Sequence, residues 1–389
     1  MILAGDIGAE QTRLALYEHD KDAKGKIHLG KPKTERSFSH IGYSNLKSVF
    51  ADFFAQAEVE LVKTEIYAVC LSIAGPITGK CFNLHGAPWA ETEKEFCKET
   101  LTKFLFCPVP ILFLNDMEAL GYSIFTLPLE ELATLDMVSL NGTKSTESAE
   151  EEKHPRCALM LVVDGLGQAL WSWDEKRKEY VPSPSEGGHT DFAARNAEEI
   201  KLLKHLQGNP TGHDCLPVSY EQVLSVGGLF KILDFVQTDK NVCLSSTIKQ
   251  ELEEAEMVKD NVRKVGILAK AAIGNDMICH EVWKIFLSIL GAQAGNIALT
   301  YRAEGGVYLT GFVLVELVKQ LRQKQVAIDV FFAPLLQAFS HKEKKSTFPE
   351  LNAPVNIVCK TGLAMVGSAQ HALPWVTKGF FEVNKKLPK

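Results

Sequence analysis

The chain has no surplus of positive charge: 42 Lys and Arg stand against 48 Asp and Glu, a formal net charge of −6. So mild a balance argues against a surface built for nucleic acid or anionic lipid. No apolar run approaches the roughly 20 residues that a membrane span needs. The N-terminus, Met1-Ile2-Leu3-Ala4-Gly5-Asp6, carries neither the basic start nor the apolar stretch of a signal peptide. The expectation is a cytoplasmic protein with no nucleic-acid partner and no membrane partner. Close cysteine pairs are missing too. The nine cysteines, at 70, 81, 97, 107, 157, 215, 243, 279 and 359, are scattered through apolar surroundings, which predicts reduced, buried thiols.

What is present is ordinary globular material. Hydrophobic residues make up 46% of the 389 positions and charged residues 23%, enough to bury a large core without a metal or disulfide staple. At about 150 residues per domain, the length accommodates two or three domains. Residues 2–7 and 12–17 read as short strands around a polar turn. Residues 65–77 and 80–84 read as strands, 91–104 as a helix, and 109–114 as a strand buried on both faces. A helix is expected directly after Asn115-Asp116.

Residues 141–155, NGTKSTESAEEEKHP, break the pattern: they are polar and acidic with no apolar face, as expected of a flexible surface insertion. Residues 156–173 resume as a hairpin around Asp164-Gly165-Leu166-Gly167, and 196–301 are mostly helical. Residues 305–309, 313–323, 355–358 and 361–373 then alternate strand and helix. The strand–turn–strand unit therefore occurs twice, near the start of each half. That predicts two similar α/β lobes, a small one from residues 1–125 with 355–389 and a large one from residues 126–354.

The first turn is Asp6-Ile7-Gly8-Ala9-Glu10-Gln11-Thr12-Arg13. A tight turn after a buried strand can offer backbone N–H groups to a phosphate, and a neighbouring carboxylate can hold Mg²⁺ through water. The second turn, Asp164-Gly165-Leu166-Gly167, has the same properties. Either one taken alone is equally an ordinary hairpin turn.

Their order and spacing among other motifs resemble the bacterial-type glucokinases, members of the actin-like superfamily of sugar kinases, acetate kinases and Hsp70 chaperones. The resemblance runs nearly end to end. It rests on the first turn, Ser72-Ile73-Ala74-Gly75-Pro76, Leu114-Asn115-Asp116-Met117-Glu118-Ala119, Glu186-Gly187-Gly188-His189, Glu221-Gln222-Val223-Leu224-Ser225, Gly305-Gly306-Val307-Tyr308-Leu309 and Gly362-Leu363. It implies a two-lobed actin-like (ribonuclease H-like) α/β fold with a central cleft, phosphorylation of glucose by Mg-ATP, and a homodimer.

A sugar kinase needs a general base for the attacking hydroxyl and short polar side chains that fix the hydroxyl pattern. Asp116 stands where a predicted buried strand gives way to a helix, the edge at which α/β sheets bind ligands. Read alone, Asn115 or Asp116 is as much a helix N-cap as a ligand. The resemblance implies that Asp116 draws the proton from the sugar 6-hydroxyl and that Asn115 binds a neighbouring hydroxyl. It also assigns Glu186 and His189 to the sugar, and Glu221 at the start of an expected helical stretch. A related branch carries a cysteine-rich zinc motif after its histidine. Nothing comparable follows His189, so no structural zinc is expected.

For the nucleotide, the resemblance points to Asp6 (to Mg²⁺ through water), Gly8, Thr12, Asp164, Gly165, Gly167 and Gly311. Here the chain departs from the family. The first turn usually reads Asp-Ile-Gly-Gly-Thr-Asn, and Ala9, Glu10 and Gln11 replace its last three positions. The second usually reads Gly-Thr-Gly-Leu-Gly, and Asp164 replaces the threonine. The adenosine motif ends in Phe312 rather than a second glycine. Glu10 and Asp164 put negative charge where a polyphosphate must sit, and two unit charges about 4 Å apart cost roughly 4 kcal/mol at an effective dielectric near 20. Mg²⁺ offsets part of that, and Phe312 either fills the nucleotide space or stacks on adenine. Two functions stay open: an active ATP-dependent glucokinase, or a catalytically impaired homologue that binds sugar as a sensor or regulator. Glucose and other hexoses are not distinguished.

Overall fold

The computed structural model describes residues 1–8, 10–21, 27–56, 59, 65–75, 77–84, 95–103, 105, 109–125, 136–141, 154–208, 217–344 and 353–376. The chain forms two compact units, Met1–Leu129 with Thr361–Lys389, and Glu130–Lys360.

In the first unit, β1 (Ile2–Ile7), β2 (Gln11–Lys21) and β3 (Ile27–Ser39) make an antiparallel ribbon. β4 (Ala68–Ile73) lies parallel to β1. The short β5 (Ile77–Thr78), β6 (Cys81–Phe82) and β7 (Phe96–Cys97) form a small separate sheet. β8 (Ile111–Asn115) lies parallel to β4, so the main sheet runs β3-β2-β1-β4-β8. β4 is buried at every position, as parallel strands covered on both faces must be.

On one face packs α1 (Leu46–Ala55), whose buried Leu46, Val49, Phe50, Phe53 and Phe54 follow the helical period. These side chains share a core with Leu3, Ile7, Val69, Leu71 and Ile73. On β1 and β4 the intervening residues point the other way. That face meets the closing helix Leu363–Ala372, which also packs on α2 (Asp116–Phe125).

The second unit repeats the plan. It comprises β9 (Met137–Ser139), β10 (Cys157–Val162), β11 (Leu166–Asp174), β12 (Glu179–Ser185), β13 (Val307–Thr310) and β14 (Val355–Val358), in the order β12-β11-β10-β13-β14-β9. As before, an antiparallel ribbon of three strands is followed by two parallel additions, and β9 adds an antiparallel edge. The helices that bear on the site are α3 (Val226–Lys240), α4 (Asn261–Ile273), α5 (Met277–Tyr301) and α6 (Phe312–Gln323). α5 is long and apolar enough to cross a membrane by composition, but 78% of its most apolar window is buried inside the fold. Its Trp283, Phe286 and Leu287 belong to the core of this unit.

Several expectations change. Residues 355–358 pair with β13, so the chain returns to the first unit at Thr361 rather than at 355. Pro182 and Pro184, whose Pro-Ser-Pro sequence reads as a proline-broken loop before Glu186, instead sit in β12, an edge strand, where a missing N–H is tolerated. Of the helix expected over 91–104, the described part is β7 followed by a short helix, Lys98–Thr102. Most of the acidic insertion, residues 142–153, lies outside the described residues. Cys81 and Cys97, expected as thiols, are directly opposite each other in β6 and β7 and form a disulfide. Strand register, invisible in their spacing, brings them together. Cys70, Cys157, Cys243, Cys279 and Cys359 are free.

The crossing of α2 and the closing helix depends on Gly367, because a Cβ there would lie 1.7 Å from the carbonyl oxygen of Ala119. We expect Gly367→Ala to destabilise the protein by about 2–3 kcal/mol, the cost of forcing atoms into a packed contact, measured as a lower urea midpoint.

Candidate active site

β8 ends on Asn115 and α2 begins on Asp116, so both residues reach the C-terminal edge of the first sheet. Asn115 Oδ1 accepts the Met117 N–H at 2.9 Å, and Glu118 Oε2 accepts the Asn115 N–H at 3.0 Å. This is a reciprocal capping box. Asn115 is thus a helix N-cap, and its side chain also hydrogen-bonds the Asp116 carboxylate. The Met117 N–H donates to Asp116 Oδ1 at 2.8 Å.

Burial pushes the Asp116 carboxyl up to about 6; the Asp6 carboxylate adds to the rise, while the Met117 N–H and the Asn115 side chain oppose it. Burial raises Asp6 as well, against the guanidinium of Arg13 and the hydroxyl of Ser72. Register explains this grouping: Asp6 is opposite Arg13 on β2 and Ser72 on β4, so the three share one face. Arg13 Nε is buried with no hydrogen-bond partner among the described residues.

Gly8 closes the first turn by donating to the Gln11 carbonyl at 3.0 Å, and Glu10 is exposed. Thr12 leaves the phosphate set. It is opposite Ile7, so it points to the other face from Asp6, where it is fully buried and its hydroxyl is hydrogen-bonded to His40 Nε2 at 2.8 Å. Ala9 lies outside the described residues.

In the second unit β12 leads into Glu186 and a short 3₁₀ turn, Gly187–His189. The His189 ring stands between two carboxylates, with Nε2 3.7 Å from Glu186 Oε2 and Nδ1 3.7 Å from Glu221 Oε1. The side chains of Glu186, His189 and Glu221 are 94%, 61% and 34% exposed, so all three can meet a ligand. Glu221 lies in a turn before α3 rather than in a helix. Its N–H donates to the Gly188 carbonyl at 2.8 Å, and the Tyr220 N–H donates to that of Thr190 at 2.9 Å. A Cβ on Gly188 would lie 2.1 Å from the Leu166 carbonyl oxygen, and one on Gly187 2.3 Å from Gln168 Oε1. Both glycines therefore let the loop lie directly on β11.

The second turn is enclosed by helix starts. The Val226 N–H at the start of α3 donates to the Val163 carbonyl at 2.9 Å. Asn261, the first residue of α4, donates from Nδ2 to Asp164 Oδ1 at 2.7 Å. Gly311, the N-cap of α6, has a φ of 107° and leaves no room for a Cβ, which would be 2.1 Å from the Val162 carbonyl oxygen. Helix N-termini favour anions. Here only the start of α4 reaches the Asp164 carboxylate, through the Asn261 side chain. Gly167 sits within β11, opposite Leu161. Phe312 is partly buried against the core of the second unit.

Sequence reading missed Arg13, Gln168 and Asn261. Arg13 closes a motif already singled out, and only strand register reveals that it faces Asp6. Gln168 is buried under Gly187, and its Nε2 has no partner among the described residues; a glutamine in an apolar strand was the one available sign. Asn261 is 97 residues from Asp164 and carries no local signal.

The Glucokinase family model matches residues 3–374. The glucokinase of Trichormus variabilis is 28% identical over 374 residues, which span 95% of this chain and 98% of that one. In fold, the chain is similar to a glucokinase from an Antarctic psychrotroph, with a TM-score of 0.67, 21% identity, and 95% and 98% of the two chains covered. A glucokinase from Balamuthia mandrillaris, solved in complex with glucose, gives a TM-score of 0.66 and 19% identity over 96% and 93%. These neighbours have the actin-like fold, and the doubled sheet order above is its ribonuclease H-like pattern.

Because the Asp116 carboxyl is raised from 3.8 to about 6 on folding, the native state holds more protons than the unfolded chain between those values. The contribution of Asp116 to stability falls as pH rises through that window, by about 3 kcal/mol for a shift of about two units. We expect Asp116→Asn to raise the urea midpoint at pH 7.5 and to leave it nearly unchanged at pH 4.

Proposed function

The chain belongs to the glucokinase family, and from that premise we propose that it transfers the γ-phosphoryl group of Mg-ATP to the 6-hydroxyl of glucose, yielding glucose 6-phosphate and ADP. The observation that carries the reading is Asp116, a carboxyl raised to about 6 at the C-terminal edge of a sheet. Such a group is ionised at neutral pH yet basic enough to accept a hydroxyl proton in the transition state. Asn115 orients that carboxylate and binds a neighbouring hydroxyl. Glu186 and Glu221 accept hydroxyl protons, and His189 between them donates or accepts. A set of this kind penalises a substrate that lacks the matching hydroxyl, because the bound sugar then covers a polar group and leaves it unpaired.

Phosphoryl transfer depends almost wholly on positioning and electrostatics. Asp6 fits a role at Mg²⁺ through water, since a cation would relieve the cost of its burial. The buried Arg13 Nε is a donor that an anion would satisfy. The starts of α3, α4 and α6 around the second turn suit the phosphates, with Gly8, Gly165, Gly167 and Gly311 keeping the backbone accessible. Asp164 weakens this part of the site, and its hydrogen bond to Asn261 disperses some of its charge. The reading needs no zinc. A homodimer in the cytoplasm completes the proposal and rests on the family alone.

A coupled assay for glucose 6-phosphate, alongside calorimetric titration with glucose, tests the activity. Turnover is expected, with kcat/KM falling as pH drops through about 6 as Asp116 takes up its proton. Asp116→Asn should lower kcat by about 10²–10⁴-fold with little change in glucose affinity. Glucose binding with no product under Mg-ATP would sink the kinase reading. Asp164→Thr, which removes a negative charge from the second turn, should tighten binding of Mg-AMPPNP. Unchanged or weaker binding would mean that Asp164 helps to hold the metal.

A further inference from the structure

We propose that Glu221 couples the hexose site to the second phosphate turn, so that sugar binding prepares the turn for nucleotide. The inference rests on the reading that glucose binds at Glu186, His189 and Glu221. It goes beyond that reading because it gives one of these residues a second task.

The two oxygens of Glu221 are divided between two jobs. Oε1 faces His189 Nδ1 at 3.7 Å, on the sugar side. Oε2 accepts the N–H of Leu166 at 3.1 Å, and Leu166 is the first residue of β11 as the chain leaves the phosphate turn. The same oxygen lies 2.7 Å from where a Cβ on Gly165 would be, so the carboxylate is packed against the turn itself. The backbone of Glu221 is held in turn by the Gly188 carbonyl at 2.8 Å.

Other hydrogen bonds shape the turn, but they come from elsewhere. The Val163 N–H closes on the Gly165 carbonyl at 3.0 Å, Val226 holds the Val163 carbonyl, and Asn261 holds the Asp164 carboxylate. Those partners lie in the turn itself or at the starts of α3 and α4. Glu221 alone among these anchors belongs to the proposed sugar set. It is only half-buried and has two rotatable bonds beyond Cβ, so without ligand its carboxylate can leave Leu166. A sugar hydroxyl donating to Oε1 pins the carboxylate and keeps Oε2 on the Leu166 N–H. The ordering of the turn is then complete before the nucleotide arrives, which makes the second binding event more favourable. Linkage requires the reverse effect to have equal size.

Amide hydrogen exchange and calorimetry on the full chain test the proposal. Without ligand, Glu221→Ala should speed exchange of the Leu166 amide roughly tenfold. Glu221→Gln, whose amide oxygen can still accept that N–H, should stay close to wild type. Unchanged exchange in Glu221→Ala would overturn the anchoring whether or not sugar binds. In the wild type, saturating glucose should tighten Mg-AMPPNP binding by about fivefold or more.

Gly165→Ala supplies the converse arm, because its new methyl displaces the carboxylate from the turn side. With no nucleotide present it should weaken glucose binding by about threefold or more. Unchanged glucose affinity in Gly165→Ala, or no synergy in the wild type, would overturn the coupling. A wild-type chain that binds no glucose at all would instead refute the hexose reading, and the exchange result would still decide the role of Glu221 at the turn.

Discussion

The chemistry proposed for this chain depends on taking the Asp116 carboxyl out of water beside a second buried carboxyl, Asp6. Parallel strands β1, β4 and β8 end at one edge of the first sheet, and their buried run brings both groups there. Desolvation makes Asp116 a base of useful strength, and it works against stability, since each ionised carboxylate must be supported without bulk water. The support is local: the Met117 N–H and the Asn115 side chain serve Asp116, while the guanidinium of Arg13 offsets the charge of Asp6. The capping box through Glu118 holds Asn115 in place for this purpose. The proposed base is thus maintained at a cost in stability, a trade common at active sites.

The second unit starts from the same strand plan and arrives at a different electrostatic solution. Its turn between β10 and β11 is ringed by helix starts, an arrangement that attracts negative charge. The chain places a carboxylate of its own there, Asp164, and ties it to Asn261. Nearby, Glu221 joins that turn to the loop carrying His189. In this unit Glu221 therefore links the proposed sugar residues to the proposed phosphate turn.

Much of this was legible in the sequence, and the limits have physical causes. Motif order carried the family, and the change from strand to helix at Asn115-Asp116 marked the position of the proposed base. Twofold occurrence of the strand–turn–strand unit anticipated the doubled sheet. Thr12 was misassigned because a motif says nothing about which face a strand residue takes; its pairing with Ile7 puts it in the core with His40. Pro182 and Pro184 looked like loop residues because the position of a strand within its sheet, here an edge, is a tertiary property. Asn261 and the Cys81–Cys97 pair were hidden for the same reason, since each depends on a partner that only folding brings near.

The proposed catalysis depends on the ionisation of Asp116. Carbon-13 NMR titration of labelled aspartate carboxyls, assigned through Asp116→Asn, would measure it directly. A midpoint near 6 is predicted for Asp116, moving downward when Asp6→Asn removes the neighbouring charge. A midpoint in the ordinary carboxylate range near 3.9, unmoved by Asp6→Asn, would contradict the account.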